Sequence, residues 1–505
     1  MAILPTLAAW GDTAYQTLSY SNVFAFYISH TSSGVTEVPI NGRNYLYGTL
    51  VNTSSDSGGA IYRATTDGNV VETVYQFTDA DGYIPAAGLL LAQDGNLYGV
   101  TVYGPKVGVN TQSGTGTIFR VSPDGTGFTT LHVFDNATPT LDLQTGAVIN
   151  VNNDGALPQQ ALIDGQDGFL YGVTGNGGAN GTGTIFRIQL DGNNFQVLHS
   201  FAKVNPLTGF SFNYNHEGAV PSGALRLDRN TGYLYGVTGG GGDAGNGTLY
   251  RIQTDGSQFQ TIFSFEPLNG TISGNNDTTN CHGASPTGKP LIANDVLYGV
   301  TRAGGNDSSN CNGDSDGTLI GYGTVYAVAL DAIPSSGLID SSQFDTVHDF
   351  LGTDGQNPTG DLLLANDGIF LYGQTATGTN SSVQPFSSLG TVFTIDSQHP
   401  VGSFNQAFGF ASNQGSSPSG FMIQGHDGYF YGTVSSGGGC GGGAVFQLRG
   451  DGSPAQPGTV SCNAGVSPDS SSASIYGGSG DMNWGFVCLL AGLGFLAPAR
   501  RFKRI

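Results

Sequence analysis

The sequence predicts an all-β chain folded as a seven-bladed β-propeller of four-stranded antiparallel blades, closed by a strand from its own N-terminus. Three observations carry this expectation. One aromatic phrase returns seven times, each copy has the same strand-and-turn surroundings, and a spare strand phrase precedes the first copy. The phrase is Leu-Tyr-Gly-Val-Thr or a close variant, centred on Tyr47, Tyr98, Tyr171, Tyr235, Tyr298, Tyr372 and Tyr431. The spacings run from 51 to 74 residues. A fixed recurrence of this length is the mark of a repeat architecture, and it is too long for the coils of a parallel β-helix.

Each copy supplies four strands in order. The first follows a proline, as in Pro85 to Leu89, Pro158 to Leu162, Pro221 to Leu225 and Pro358 to Leu362. The second is the Tyr phrase itself. A glycine-rich loop follows, then a Gly-Thr-aliphatic-aromatic phrase such as Gly116 to Phe119, Gly183 to Phe186 or Gly247 to Tyr250. An Asp-Gly pair (Asp124-Gly125, Asp191-Gly192, Asp255-Gly256) then leads to a fourth run, as in Phe128 to Phe134 and Phe195 to Phe201. Short β-branched and aromatic runs bounded by Gly, Asp, Asn and Pro read as strands. Asp-Gly between two of them reads as a tight hairpin. Apolar groups fall on both faces of each small sheet, so each sheet needs a neighbour on either side, and a radial ring provides that.

Closure is read from the ends. The seventh unit has strand phrases at Pro418 to Ile423, Tyr429 to Val434 and Gly443 to Leu448, but Ser453 to Gly458 carries two prolines and makes a poor fourth strand. Tyr15 to Tyr20 matches the missing pattern and is expected to complete that blade, which removes an open sheet edge. The domain reading is a propeller over residues 1–452, a Ser/Gly/Pro-rich tether over 453–483, and an apolar segment with a basic tail over 484–505.

Composition bounds the function. The 505 residues include 82 glycines and 29 phenylalanines, only 10% of residues are charged, and the net charge is −21. Such an acidic surface repels phosphate backbones, which excludes nucleic acid as a partner. Cys281 and Cys311 fall in two loops of one repeat, and Cys440 and Cys462 fall in and just after the last repeat. They are disulfide candidates, with Cys488 left over, and they point to an oxidising compartment. The segment 1–11 has no basic n-region and does not read as a complete signal peptide. The run from Trp484 to Ala499 is apolar and short for a transmembrane helix, and Arg500 and Arg501 begin the basic cluster behind it. This tail reads as a membrane anchor or a sorting signal, with the repeats outside the cell.

The repeated LYGVT, GTIFR and DG phrases resemble the bacterial GloVer-type tandem-repeat proteins, also called choice-of-anchor repeat proteins, over residues 40–450. The tail, with Gly477 and Gly478 before the apolar run, resembles a GlyGly-CTERM-type sorting segment. That resemblance implies removal by an intramembrane protease, followed by surface attachment or release. Asp481 and Asn483 depart from the pattern. The resemblance implies no activity that carries over to individual residues.

Chemistry is sparse. His132, His199 and His348 share one position of the repeat, which marks them as architectural. His216 and His282 lie in loops between repeats, where copies differ, and with Arg302 they are the ligand-binding candidates. No metal is assigned: His282 beside Cys281 lacks zinc-finger spacing, and the Asn306 to Asp316 loop has calcium-type oxygens without an EF-hand pattern. The glycine loops at 175–178 and 239–242 precede strands rather than helices, so they are turns and not phosphate cradles. No catalytic residue is assigned and no cofactor is expected. Long insertions gather on one face: Pro105 to Ser113, Lys203 to His216, Leu268 to His282 and Gly304 to Tyr322. The expectation is an exported, surface-attached monomer that binds a glycan or a protein through this loop face. The alternatives are a polysaccharide-active hydrolase or lyase, and a passive envelope protein.

Overall fold

The computed structural model describes residues 19–25, 30–31, 33–51, 58–105, 115–142, 148–206, 213–268, 280–305, 321–378, 389–410, 414–437 and 442–449. Among these there is no α-helix. The strands form seven antiparallel sheets of at least four strands each, the blades of a seven-bladed β-propeller, plus one separate two-stranded hairpin. We letter the strands of a blade a to d in chain order. Blade 2 consists of Leu90–Leu91, Leu97–Thr101, Thr117–Val121 and Thr129–Val133. In blade 7 the order is Ser416–Gln424, Phe430–Ser436, Ala444–Arg449 and then Ser19–Ala25. The N-terminal strand therefore closes the ring, with Ser19 opposite Arg449 and Ala25 opposite Ala444. It overlaps the expected phrase at Ser19 and Tyr20 and runs on to Ala25; Tyr15 to Leu18 lie outside the described residues.

The hydrophobic core is divided into seven clusters, one at each junction between blades. Tyr47 and Ile61 of blade 1 pack with Leu97 and Phe119 of blade 2. The seam is built the same way: Val35, Leu46 and Tyr62 of blade 1 pack with Tyr431 and Val445 of blade 7. Burial on both sheet faces is why the strands read as near-continuous apolar runs, and Leu97–Thr101 is wholly buried.

The repeat phrase can be read letter by letter. The Tyr hydroxyl crosses to the next blade: Tyr47 Oη donates to the Pro123 carbonyl at 2.7 Å, and Tyr98 Oη to Leu190 at 3.0 Å. The Gly is required because an aromatic ring of strand c lies on it. A Cβ there would sit 2.2–2.5 Å from that ring in all seven blades, as at Gly99 against Phe119 and Gly432 against Phe446. The Thr of strand b bonds the Thr of strand c, as Thr101 with Thr117 at 2.7 Å.

The residue before each repeated proline has a left-handed backbone: Ile84, Leu157, Val220, Ser285, Asn357 and Ser417 have φ of 51–61°. Each donates its N–H to a carbonyl of the preceding blade at 2.7–3.2 Å, as Val220 to Thr182. The proline then packs on the positive-φ glycine that follows that carbonyl, such as Gly183 under Pro221. Six junctions carry this clasp. The seam between blades 7 and 1 is held instead by the closing strand, by Thr433 Oγ1 donating to the Ser33 carbonyl at 3.0 Å, and by His426 on Glu37 at 2.8 Å.

Candidate functional site

The inner strands of the seven blades converge on a central hub. Around the hub the first strands of successive blades touch through glycine backbones: a Cβ on Gly360 would lie 1.7 Å from the Gly420 carbonyl oxygen, and one on Gly288 2.1 Å from that of Gly360. Phe421 spans the other side. A Cβ on Gly88 would meet its ring at 2.2 Å, and one on Gly34 at 2.8 Å. Blades 5 and 6 place an ion pair there, Lys289 Nζ to Asp361 Oδ2 at 3.3 Å. Between blades 7, 1 and 2 the hub is thus filled by a ring rather than hollowed into a cleft.

Two concavities among the described residues lie at the rim. The larger is a groove of about 560 Å³ along the outer edge of blade 4, lined by His216, Glu217, Asp243, Phe259, Thr261 and Leu338 among others. Its floor is strand d of blade 4, Gln260–Ser264. Its far wall comes from the chain between strands c and d of blade 5, where Ile339 N–H donates to the Ile262 carbonyl at 2.8 Å and Gln260 Nε2 donates to the Gly337 carbonyl at 2.6 Å. At the loop-face end, His216 Nδ1 meets Asp243 Oδ1 at 2.5 Å, and the His216 ring is largely exposed. His216, expected in a loop, lies in strand Asn213–Pro221, and Thr261 Oγ1 donates to its carbonyl at 2.9 Å, tying that strand to strand d.

Glu217 is held from behind. His199 Nε2 lies 3.0 Å from its Oε2, and the Ala202 N–H donates to the same oxygen at 2.8 Å. Burial pushes its carboxyl up, but the His199 hydrogen bond and charge, with the Ala202 amide, outweigh this and hold it below the usual carboxylate range. The groove therefore offers an ionised carboxylate, a second carboxylate beside an accessible imidazole, and apolar surface from Phe259 and Leu338. Such a set can accept hydrogen bonds from hydroxyls and cover a carbon face.

A second hollow of about 470 Å³ opens beside the hairpin of Thr138–Leu141 and Val148–Val151, lined by Asp135, Asn136, Asn152 and Asn153 among others. Leu141 and Val148 face each other across this hairpin and are 57% and 63% exposed. Both this hairpin and the blade 5 wall lie outside the insertions singled out from sequence. The wall has only one sequence cue, an unusually long run between the strand-c phrase and Phe344.

The remaining candidates fall apart from the groove. His282 is buried, with Nδ1 2.5 Å from Glu266 Oε1 and its ring edge-on to Phe263 and Phe344. It is a packing residue of blades 4 and 5. Arg302 lies near the end of strand Val296–Ala303 and does not line the groove. His132, His199 and His348 stack on Phe195, Phe259 and Phe404 of the next blade at 3.5–3.9 Å, which accounts for their repetition. Cys281 is disulfide-bonded. Cys311, Cys440, Cys462, Gly477, Gly478, Arg500, Arg501 and the Asn306 to Asp316 loop lie outside the described residues. Among the described residues no group of three His, Cys, Asp or Glu side chains could hold a metal, and no helix is long and apolar enough to cross a membrane.

A comparison with curated proteins finds no match. Among solved structures, the periplasmic gluconolactonase PpgL of Pseudomonas aeruginosa is similar at 15% identity over 82% of this chain and 98% of that one, with a TM-score of 0.43. An oligogalacturonate lyase in complex with manganese is similar at 9% identity over 84% and 98%, with a TM-score of 0.42. TolB from Acinetobacter baumannii is similar at 11% identity over 73% of this chain, spanning 64% of TolB, with a TM-score of 0.34. The model of the Gloeobacter/Verrucomicrobia repeat matches residues 12–211 and 261–466, which together make up most of the chain, and the protein belongs to that repeat family.

Proposed function

We propose that this protein is an exported, surface-attached binding module that takes a glycan into the groove on the rim of blade 4. The observation that carries the reading is the lining of that groove: Glu217 and Asp243 as acceptors, His216 accessible beside them, and Phe259 with Leu338 as apolar surface. Carboxylates and a net charge of −21 favour neutral, hydroxyl-rich sugars over acidic ones. Phe421 filling the hub between Gly34 and Gly88 supports binding over hydrolase or lyase chemistry at the axis. The tail from residue 453, read as tether and sorting segment, supports a place at the cell surface, where disulfides persist. Cys281 with Cys311, and Cys440 with Cys462, are the pairs proposed.

The test is a glycan array probed with the chain and with an Asp243→Ala, His216→Ala double variant. Selective retention on neutral glycans, lost in the variant, is the expected result. Retention that the variant leaves unchanged, or selective capture of acidic glycans, would sink the proposal.

A further inference from the structure

A second site is carried by the hub, where three consecutive blades depart from the repeat. The strand-a residue paired with the repeated Tyr is Thr36, Leu90, Ile163, Leu291, Leu363 or Ile423 in six blades, and Arg226 in blade 4. Three positions after the repeated proline the residue is small or aromatic in blades 2, 3, 4 and 7, but Lys289 in blade 5 and Asp361 in blade 6. Strand Arg226–Asp228 packs against Ala284–Ala293, so these substitutions share one sector of the hub.

The charges in this sector do not cancel. Both oxygens of Asp361 are committed to Lys289: Oδ1 accepts its N–H at 2.7 Å, and Oδ2 its ammonium at 3.3 Å. Asp228 accepts from the Asn230 N–H at 2.9 Å and from Thr231 Oγ1 at 2.6 Å. Arg229 donates to Gln166 and to the Asp164 carbonyl. Arg226 is left with no hydrogen bond or ion pair to any described residue, and its Nε is buried without a partner. Burial, then repulsion from Arg229, outweigh Asp228 and Asp361 and pull its guanidinium below the usual range. A buried guanidinium N–H with no acceptor in the chain is a costly arrangement unless something outside the chain supplies one.

We propose that Arg226 forms an anion site at the hub, specific for a monoanionic carboxylate. A planar guanidinium matches a carboxylate through two parallel N–H···O bonds. Arg226, Arg229 and Lys289 against Asp228 and Asp361 leave one positive charge in this sector, which suits a monoanion and penalises a dianion such as phosphate. The site is distinct from the rim groove, whose lining is acidic.

The test uses the full chain labelled with [15N]arginine in chloride-free buffer. The Nε–Hε resonance that disappears in Arg226→Leu identifies the group; leucine occupies the same position in blades 2, 5 and 6, so that variant keeps the fold. Propionate is expected to shift this resonance saturably and to raise the Tm of the parent but not of Arg226→Leu, while its neutral isostere propionamide does neither. No shift with propionate, equal shifts with propionamide or chloride, or an equal rise of Tm in the leucine variant would overturn the proposal.

Discussion

His426 reaches across the seam to Glu37 through both its backbone N–H and its ring, at 3.0 and 2.8 Å. The Glu37 hydrogen bond and charge raise its pKa, and the smaller cost of burial does not reverse this. A group whose folded pKa lies above its unfolded value stabilises the fold fully below the unfolded pKa, which is about 6.5 for histidine, and loses that contribution as pH rises through the folded value. The parent should therefore exceed a His426→Gln variant in Tm at about pH 5.5, with the difference vanishing toward about pH 8.5. A difference that grows with pH would refute this linkage. At Gly299 a Cβ would lie 2.2 Å from the Tyr326 hydroxyl oxygen in a fully packed junction. Gly299→Ala should cost roughly 1–3 kcal/mol in urea unfolding, as overpacking does.

At the level of the element, the pre-proline clasp trades local strain for a bond between blades. Left-handed backbone costs a β-branched residue about 1–2 kcal/mol. Val220 bears that cost while 38% exposed as a residue, so little burial offsets it. Asn357 occupies the same place in blade 6 with a side chain that tolerates this backbone. Val220→Asn should raise stability by about 1 kcal/mol in denaturant titration. The existence and order of the strands were legible in the sequence, because aromatic and β-branched runs between Gly, Asp and Pro have one ready reading. The clasp was not, since a residue before proline is ordinarily extended. Nor was the groove: His216 was singled out as a loop residue, but its neighbours Asp243, Phe259 and Leu338 come from three other segments of the chain. His282 carried the same sequence cues as His216 and proved to be packing, because only the fold decides which loop turns inward.

For the whole molecule, closure rests on one strand. Removing residues 1–25 would leave Ala444–Arg449 with an unpaired edge in a chain that otherwise has none at that junction. The truncated protein should elute in light-scattering chromatography as oligomers or aggregates of higher mass than the parent. A monomeric, cooperatively unfolding truncation would show that six clasps hold the ring without the seam.

The position of Ala444–Arg449 also decides how the ring would bear a mechanical load. This last described strand is hydrogen-bonded on both sides, to Phe430–Ser436 and to Ser19–Ala25. A pull on the chain beyond Arg449 would run nearly along the strand, so the ladders on both flanks would resist in shear instead of unzipping one bond at a time. On the proposed function, a propeller tethered through that segment would hold a ligand under flow with blade 7 as the stressed part, and the N-terminal strand would act as a clamp as well as a closure of the ring.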